Sequence, residues 1–74
     1  MSQSNIYIDI GNSAVKWRTL ESDVYYKNVN EFSLTTLPQA DTAWVSAVAN
    51  LDIVDDLKTY FDRVNLIPSQ KKFN

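Results

Sequence analysis

Cysteine and histidine are both missing from this chain, glycine occurs once and proline twice. Each scarcity excludes something. Without cysteine there are no disulfides, on which secreted domains this small usually depend for want of a deep core, so a cytoplasmic setting is expected. Without histidine a Ser-His-Asp nucleophile is excluded. With neither residue, a metal would have to be held by oxygen ligands, the chemistry of magnesium rather than of zinc or copper. No apolar stretch approaches the ~18 residues of a bilayer span. Met1 to Asn5 have neither the basic start nor the apolar run of a signal peptide, and no membrane partner is expected. Seven Lys and Arg residues are spread along a chain of net charge -2. No basic stripe is available to neutralise nucleic-acid phosphates, so no nucleic-acid partner is expected.

What is present suits one small globular domain. Of the 74 residues, 45% are hydrophobic and 12% aromatic, well outside the low-hydrophobicity regime of disordered chains. A domain of this length buries only about 60% of its unfolded surface, which implies modest stability.

Asn5 to Ile10 alternates Ile6, Ile8 and Ile10 with Tyr7 and Asp9, the two-residue period of a strand. Ala14 to Leu20 repeats it, with Val15, Trp17 and Thr19 opposed to Lys16, Arg18 and Leu20. Gly11-Asn12-Ser13 between them is hairpin-turn chemistry, so the two strands should pair antiparallel. Val24 to Val29 is rich in strand formers and predicts a third strand. A short helix is predicted over Asn30 to Leu37, stopped by Pro38. Thr42 to Val48 is almost unbroken apolar sequence, as in a strand buried on both faces. Asn50 reads as an N-cap and Asp52 as a complement to the helix dipole. Ile53, Leu57, Tyr60, Phe61 and Val64 follow at helical spacing, predicting a helix over Leu51 to Arg63. Val64 to Ile67 reads as a fifth strand, stopped by Pro68. Right-handed crossovers then give an α/β fold whose mixed sheet has the order 3-2-1-4-5, with the fourth and fifth strands parallel to the first. Residues 1–68 form the domain, and Ser69 to Asn74 read as a tail or the start of a further segment.

The candidate chemistry lies in the first hairpin. Gly11 is the only glycine, and a glycine lets backbone approach an anion without a side chain in the way. Successive N–H groups of a Gly11-Asn12-Ser13 turn can form an anion-binding concavity, to which the Asn12 amide and the Ser13 hydroxyl add donors. Lys16 offers a point charge for a phosphoryl group, and Asp9 a carboxylate for magnesium, directly or through water. Singly, Asp9 reads as a solvated strand residue, Lys16 as a surface charge and the turn as an ordinary hairpin; together they converge on an ATP phosphate pocket. Trp17 and Trp44 read as core rather than as base-stacking platforms. Tyr25 and Tyr26 read as sheet surface, and Asp55 and Asp56 as a solvated helix face. Ser46 could turn its hydroxyl toward the hairpin's end of the sheet, but no base accompanies it.

Asp9-Ile10-Gly11-Asn12-Ser13-Ala14-Val15-Lys16-Trp17-Arg18 resembles the first phosphate motif of type III pantothenate kinases, whose pattern is Asp-x-Gly-Asn-Thr/Ser-x-x-Lys. The family includes relatives described as Bvg accessory factors. Trp44-Val45-Ser46-Ala47-Val48 looks like the family's Ser-Ser-Val strand. The resemblance implies half of an actin-like, ribonuclease H-like ATPase domain. It further implies transfer of the ATP γ-phosphoryl group to pantothenate, the first step of coenzyme A synthesis, with magnesium and a monovalent cation (potassium or ammonium) as cofactors. ATP and pantothenate are the implied ligands and a homodimer the implied assembly. Carried over, Asp9 serves magnesium while Gly11, Asn12, Ser13 and Lys16 hold phosphates. The family's catalytic aspartate and its pantothenate and adenosine sites have no counterpart in this sequence, so the chain is expected to be inactive alone. Two other readings share the hairpin: another actin-like superfamily kinase or phosphatase, and a regulatory or scaffold module that kept the fold without catalysis.

Overall fold

A computed structural model of the chain describes residues 4–20 and 23–67. The elements run β1 (Asn5–Ile10), β2 (Ala14–Thr19), β3 (Tyr25–Asn28), a 3-10 turn (Leu34–Thr36), β4 (Thr42–Ala47), α1 (Leu51–Tyr60) and β5 (Arg63–Leu66). They build an α/β fold around one five-stranded mixed sheet in the order β3-β2-β1-β4-β5. β1 pairs antiparallel with β2 and parallel with β4, which pairs parallel with β5. The expected topology is therefore observed. Ser69 to Asn74 lie outside the described residues.

One face of the sheet carries the core. Ile6, Ile8 and Ile10 on β1 meet Val15 and Trp17 of β2 on one side and Ala43 and Val45 of β4 on the other. Val54, Leu57 and Phe61 come down onto them from α1, and Leu37 closes the edge. Their spacing of three puts Val54 and Leu57 on one stripe of the helix, and Phe61 joins them from the position just after it. Val54, unread in the sequence pattern, is part of the core. Ile6, Ile10, Val15, Val45 and Leu57 are fully buried, each such side chain contributing about 1.5–3 kcal/mol of hydrophobic stabilisation.

Four local expectations change. In place of a helix over Asn30 to Leu37 there is only the 3-10 turn, because Thr35 and Thr36 are poor helix formers and Pro38 cannot extend them. The Ser33 and Thr35 hydroxyls bond one another at 2.9 Å, a local alternative to helical hydrogen bonding. α1 ends at Tyr60 rather than Arg63: Phe61 turns extended at φ -109, ψ 145 to drop its ring into the core, and Val64 joins β5. β4 is buried on one face only, with Ala43 and Val45 enclosed while Trp44 and Ser46 are half-exposed on the other. Trp44 is thus not core; its indole N–H donates to Asn5 Oδ1 at 3.1 Å. Trp17 is core, 5% exposed, and stacks against Tyr25 with ring centroids 6.1 Å apart. Among the described residues no helix is long and apolar enough to cross a membrane.

Leu57→Ala is expected to cost about 2–5 kcal/mol, the range for emptying a fully buried leucine site. Asp55→Ala, on the exposed face of the same helix, should stay within about 0.5 kcal/mol of the parent. Urea unfolding of the two variants checks this, and equal losses would contradict the helix orientation.

Candidate functional site

The hairpin between β1 and β2 is tied down from three directions. Within it, Gly11 N–H donates to Ala14 C=O at 2.9 Å. From one side Val29 N–H donates to Ser13 C=O at 2.9 Å, and from the other Val48 N–H donates to Ile10 C=O at 3.1 Å. Asn50 completes the support. Its side-chain amide donates to Gly11 C=O at 2.7 Å and to Asn12 C=O at 3.2 Å. Asn50 does occupy the position before α1, but its side chain makes no capping bond; its NH2 group is engaged with the hairpin 39 and 38 residues away. It holds left-handed backbone, φ 55 and ψ 50, a conformation asparagine adopts more readily than most residues.

The position of the sole glycine can be tested against the fold. Gly11 does not have a positive φ. A Cβ built there would meet the Ala14 carbonyl oxygen at 3.4 Å, at the near edge of ordinary contact. Neither the turn conformation nor neighbouring side chains of this chain demand the missing Cβ.

Register decides where the charged residues fall. Asp9 is the cross-strand partner of Lys16, as Ile8 is of Trp17. Strand alternation therefore places Asp9 and Lys16 together on the face opposite the core, which no helix covers among the described residues. Ser46 stands beside Asp9 on the other flank, through the parallel β1–β4 register. A shallow depression of about 280 Å³ on this face is lined by Tyr7, Asp9, Lys16, Trp44 and Ser46, among others. Asp9 and Lys16 are exposed, and neither side chain forms an ion pair or a hydrogen bond with another described residue. Gly11, Asn12 and Ser13 lie outside the depression, at the hairpin tip above it, with Asn12 and Ser13 exposed. Asp9 and Lys16 thus share one face while the turn residues form a separate ledge at the strand ends. Asp55 and Asp56 are exposed on α1, in keeping with a solvated role.

Among the described residues no three acidic side chains gather to hold a metal ion. Magnesium usually keeps several waters and takes one or two carboxylates together with substrate phosphates. Asp9, a single exposed carboxylate, fits the chemistry of a magnesium ion that would arrive with a nucleotide rather than one caged by protein. The residue missed in the sequence is Asn50. Its contacts reach 39 and 38 residues back along the chain, and locally it carries only the signature of a helix cap. The sequence matches no protein-family model, and no curated protein matches it.

Gly11→Ala is expected to leave the fold in place, with stability within about 1 kcal/mol of the parent, since alanine can adopt a negative-φ conformation and restricts the unfolded chain. Thermal melting monitored by circular dichroism measures it. A loss of several kcal/mol would mean that the turn itself needs the glycine.

Proposed function

We propose that this chain is the phosphate-binding portion of an actin-like, ribonuclease H-like ATPase fold, and specifically the N-terminal portion of a type III pantothenate kinase. The observation that carries the proposal is the conjunction at the hairpin: a glycine the fold does not require, beside a carboxylate and an ammonium that are exposed, adjacent in register and unpartnered. The order β3-β2-β1-β4-β5, with β1, β4 and β5 parallel, is the topology the fold reading calls for.

Phosphoryl transfer asks little covalent chemistry of a protein and much positioning and charge stabilisation. In this reading Lys16 stabilises negative charge on the phosphoryl oxygens, and Asp9 anchors the metal side of the nucleotide. Gly11 gives the phosphate chain close access to backbone, while Asn12 and Ser13 donate to its oxygens. Magnesium, when bound with ATP, neutralises charge on the phosphates. Pantothenate as acceptor, the monovalent cation, homodimer assembly and a cytoplasmic place in coenzyme A synthesis follow from the resemblance. The described residues supply one side of such a site, so the chain alone is proposed to bind nucleotide without transferring phosphate.

Titration of the 15N-labelled chain with MgATP is expected to shift the amides of Asp9 to Lys16, and MgAMP, lacking the terminal phosphates, should shift them far less. Lys16→Ala should weaken MgATP binding about tenfold or more, the worth of a hydrogen bond to a charged group. In the protein translated from the complete reading frame, ATP consumption should depend on pantothenate and not on sugars. Amides indifferent to MgATP would instead favour a module that keeps the fold without a nucleotide site.

A further inference from the structure

Asn50 presents one NH2 group to two consecutive carbonyls, those of Gly11 and Asn12, at 2.7 and 3.2 Å. An amide nitrogen carries two hydrogens, so one side chain can satisfy both acceptors at once. What this does to the turn follows from the peptide unit. Every described peptide bond is trans, and in a planar trans peptide the N–H points opposite to the C=O of the same unit. The Gly11 carbonyl shares its plane with the Asn12 N–H, and the Asn12 carbonyl shares its plane with the Ser13 N–H. Drawing both carbonyls toward Asn50 therefore turns both of these N–H groups away from it. No described residue accepts either of them. Two successive backbone donors are left pointing outward from the tip of the hairpin, the arrangement that makes an anion-binding concavity.

We propose that Asn50 is a positioning residue: its side chain sets the direction of the Asn12 and Ser13 N–H groups, and those two N–H groups are the primary donors to a phosphate oxygen. The proposal rests on the phosphate-binding reading above and assigns its donors to backbone rather than to the Asn12 amide or the Ser13 hydroxyl. Three features set Asn50 apart from a generic loop contact. It gives up helix capping, the usual role of asparagine at that position, to reach the hairpin. It keeps left-handed backbone to do so, the only non-glycine residue with positive φ among those described. And the carbonyls it holds belong to the two peptide units whose N–H groups have no partner. Asn50 does not itself face the anion, since its donors point into the turn.

The test uses Asn50→Gly in the full chain, because glycine tolerates left-handed backbone and removes only the amide. The melting temperature should change little. The Asn12 and Ser13 amide resonances should move even without ligand, and affinity for MgATP and for inorganic phosphate should fall about tenfold, the scale of losing the alignment of one or two hydrogen bonds. Asn12→Ala and Ser13→Ala, which keep the backbone donors, should each weaken binding less than Asn50→Gly does. If Asn50→Gly unfolds the chain, Asn50→Ala serves in its place, removing the amide donor without adding a charge beside the phosphate site. A parent chain that binds MgATP while the folded Asn50 variant binds it equally well would overturn the role of Asn50 and leave the proposed function standing. A parent chain that binds neither MgATP nor phosphate would overturn both.

Discussion

Everything in this protein depends on burying one face of β1. Ile6, Ile8 and Ile10 are enclosed between the flanking strands and the helix above them. Because side chains alternate along a strand, that burial sends Tyr7 and Asp9 to the opposite face with no further instruction. Antiparallel pairing then carries the consequence across to β2. Ile8 faces Trp17 and Ile10 faces Val15, so the residue opposite Asp9 has to be Lys16. A slip of one residue would bury Asp9 and Lys16 and expose the isoleucines, at a cost far beyond any surface interaction. The candidate site therefore needs no dedicated interaction to assemble its charges. The core does it.

The same reasoning explains what was legible in the sequence. Period-two alternation in Asn5 to Ile10 gave β1 its observed limits, and the turn residues after it gave the hairpin. The order of elements, with right-handed crossovers, gave the sheet. Signals that depend on a single segment were readable because that segment's own neighbours enforce them. Apart from the helix expected over Asn30 to Leu37, which its own threonines and Pro38 refuse, the misreadings are cases where a distant partner decides. β4 has the composition of a strand covered twice, yet among the described residues helical cover reaches one face, so Trp44 meets Asn5 at the surface instead of entering a core. The stripe from Ile53 to Val64 looks like one helix, but Phe61 fills the core better by leaving the helix than by continuing it. Asn50 has the signature of a cap and serves a turn at the far end of the sequence. No local rule contains that contact.

Asp9 and Lys16 invite the explanation that they are there to attract one another across the ladder. Magnitudes argue against it. An exposed ion pair contributes about 0–1 kcal/mol, and these two side chains form none. Arg18 and Tyr7, partners one step down the same ladder, give that face a second cation beside an aromatic ring. The fold tolerates all of these without depending on any.

A residue the fold does not require can be there by chance or for a ligand, and a fold supplies one way to tell. Chance leaves such residues scattered over the surface. Here an exposed carboxylate, an exposed ammonium, an unrequired glycine and two unpaired backbone donors fall within one strand-turn-strand unit, while the cost of shaping that unit is met elsewhere. Asn50 forgoes its capping bond and adopts left-handed backbone, and Val29 and Val48 donate to carbonyls on either side of the turn. Two segments distant in sequence, one carrying Val29 and the other Val48 and Asn50, converge to hold a turn whose own exposed groups contribute little to stability. An ordinary hairpin, closed by its own ladder, would need no such convergence. A turn that must keep two N–H groups aimed at an anion would, because bare donors on a loose loop lose in entropy what they gain in contact. The direction of support runs from core to turn to donors, and that ordering is what joins the fold to the proposed phosphate chemistry.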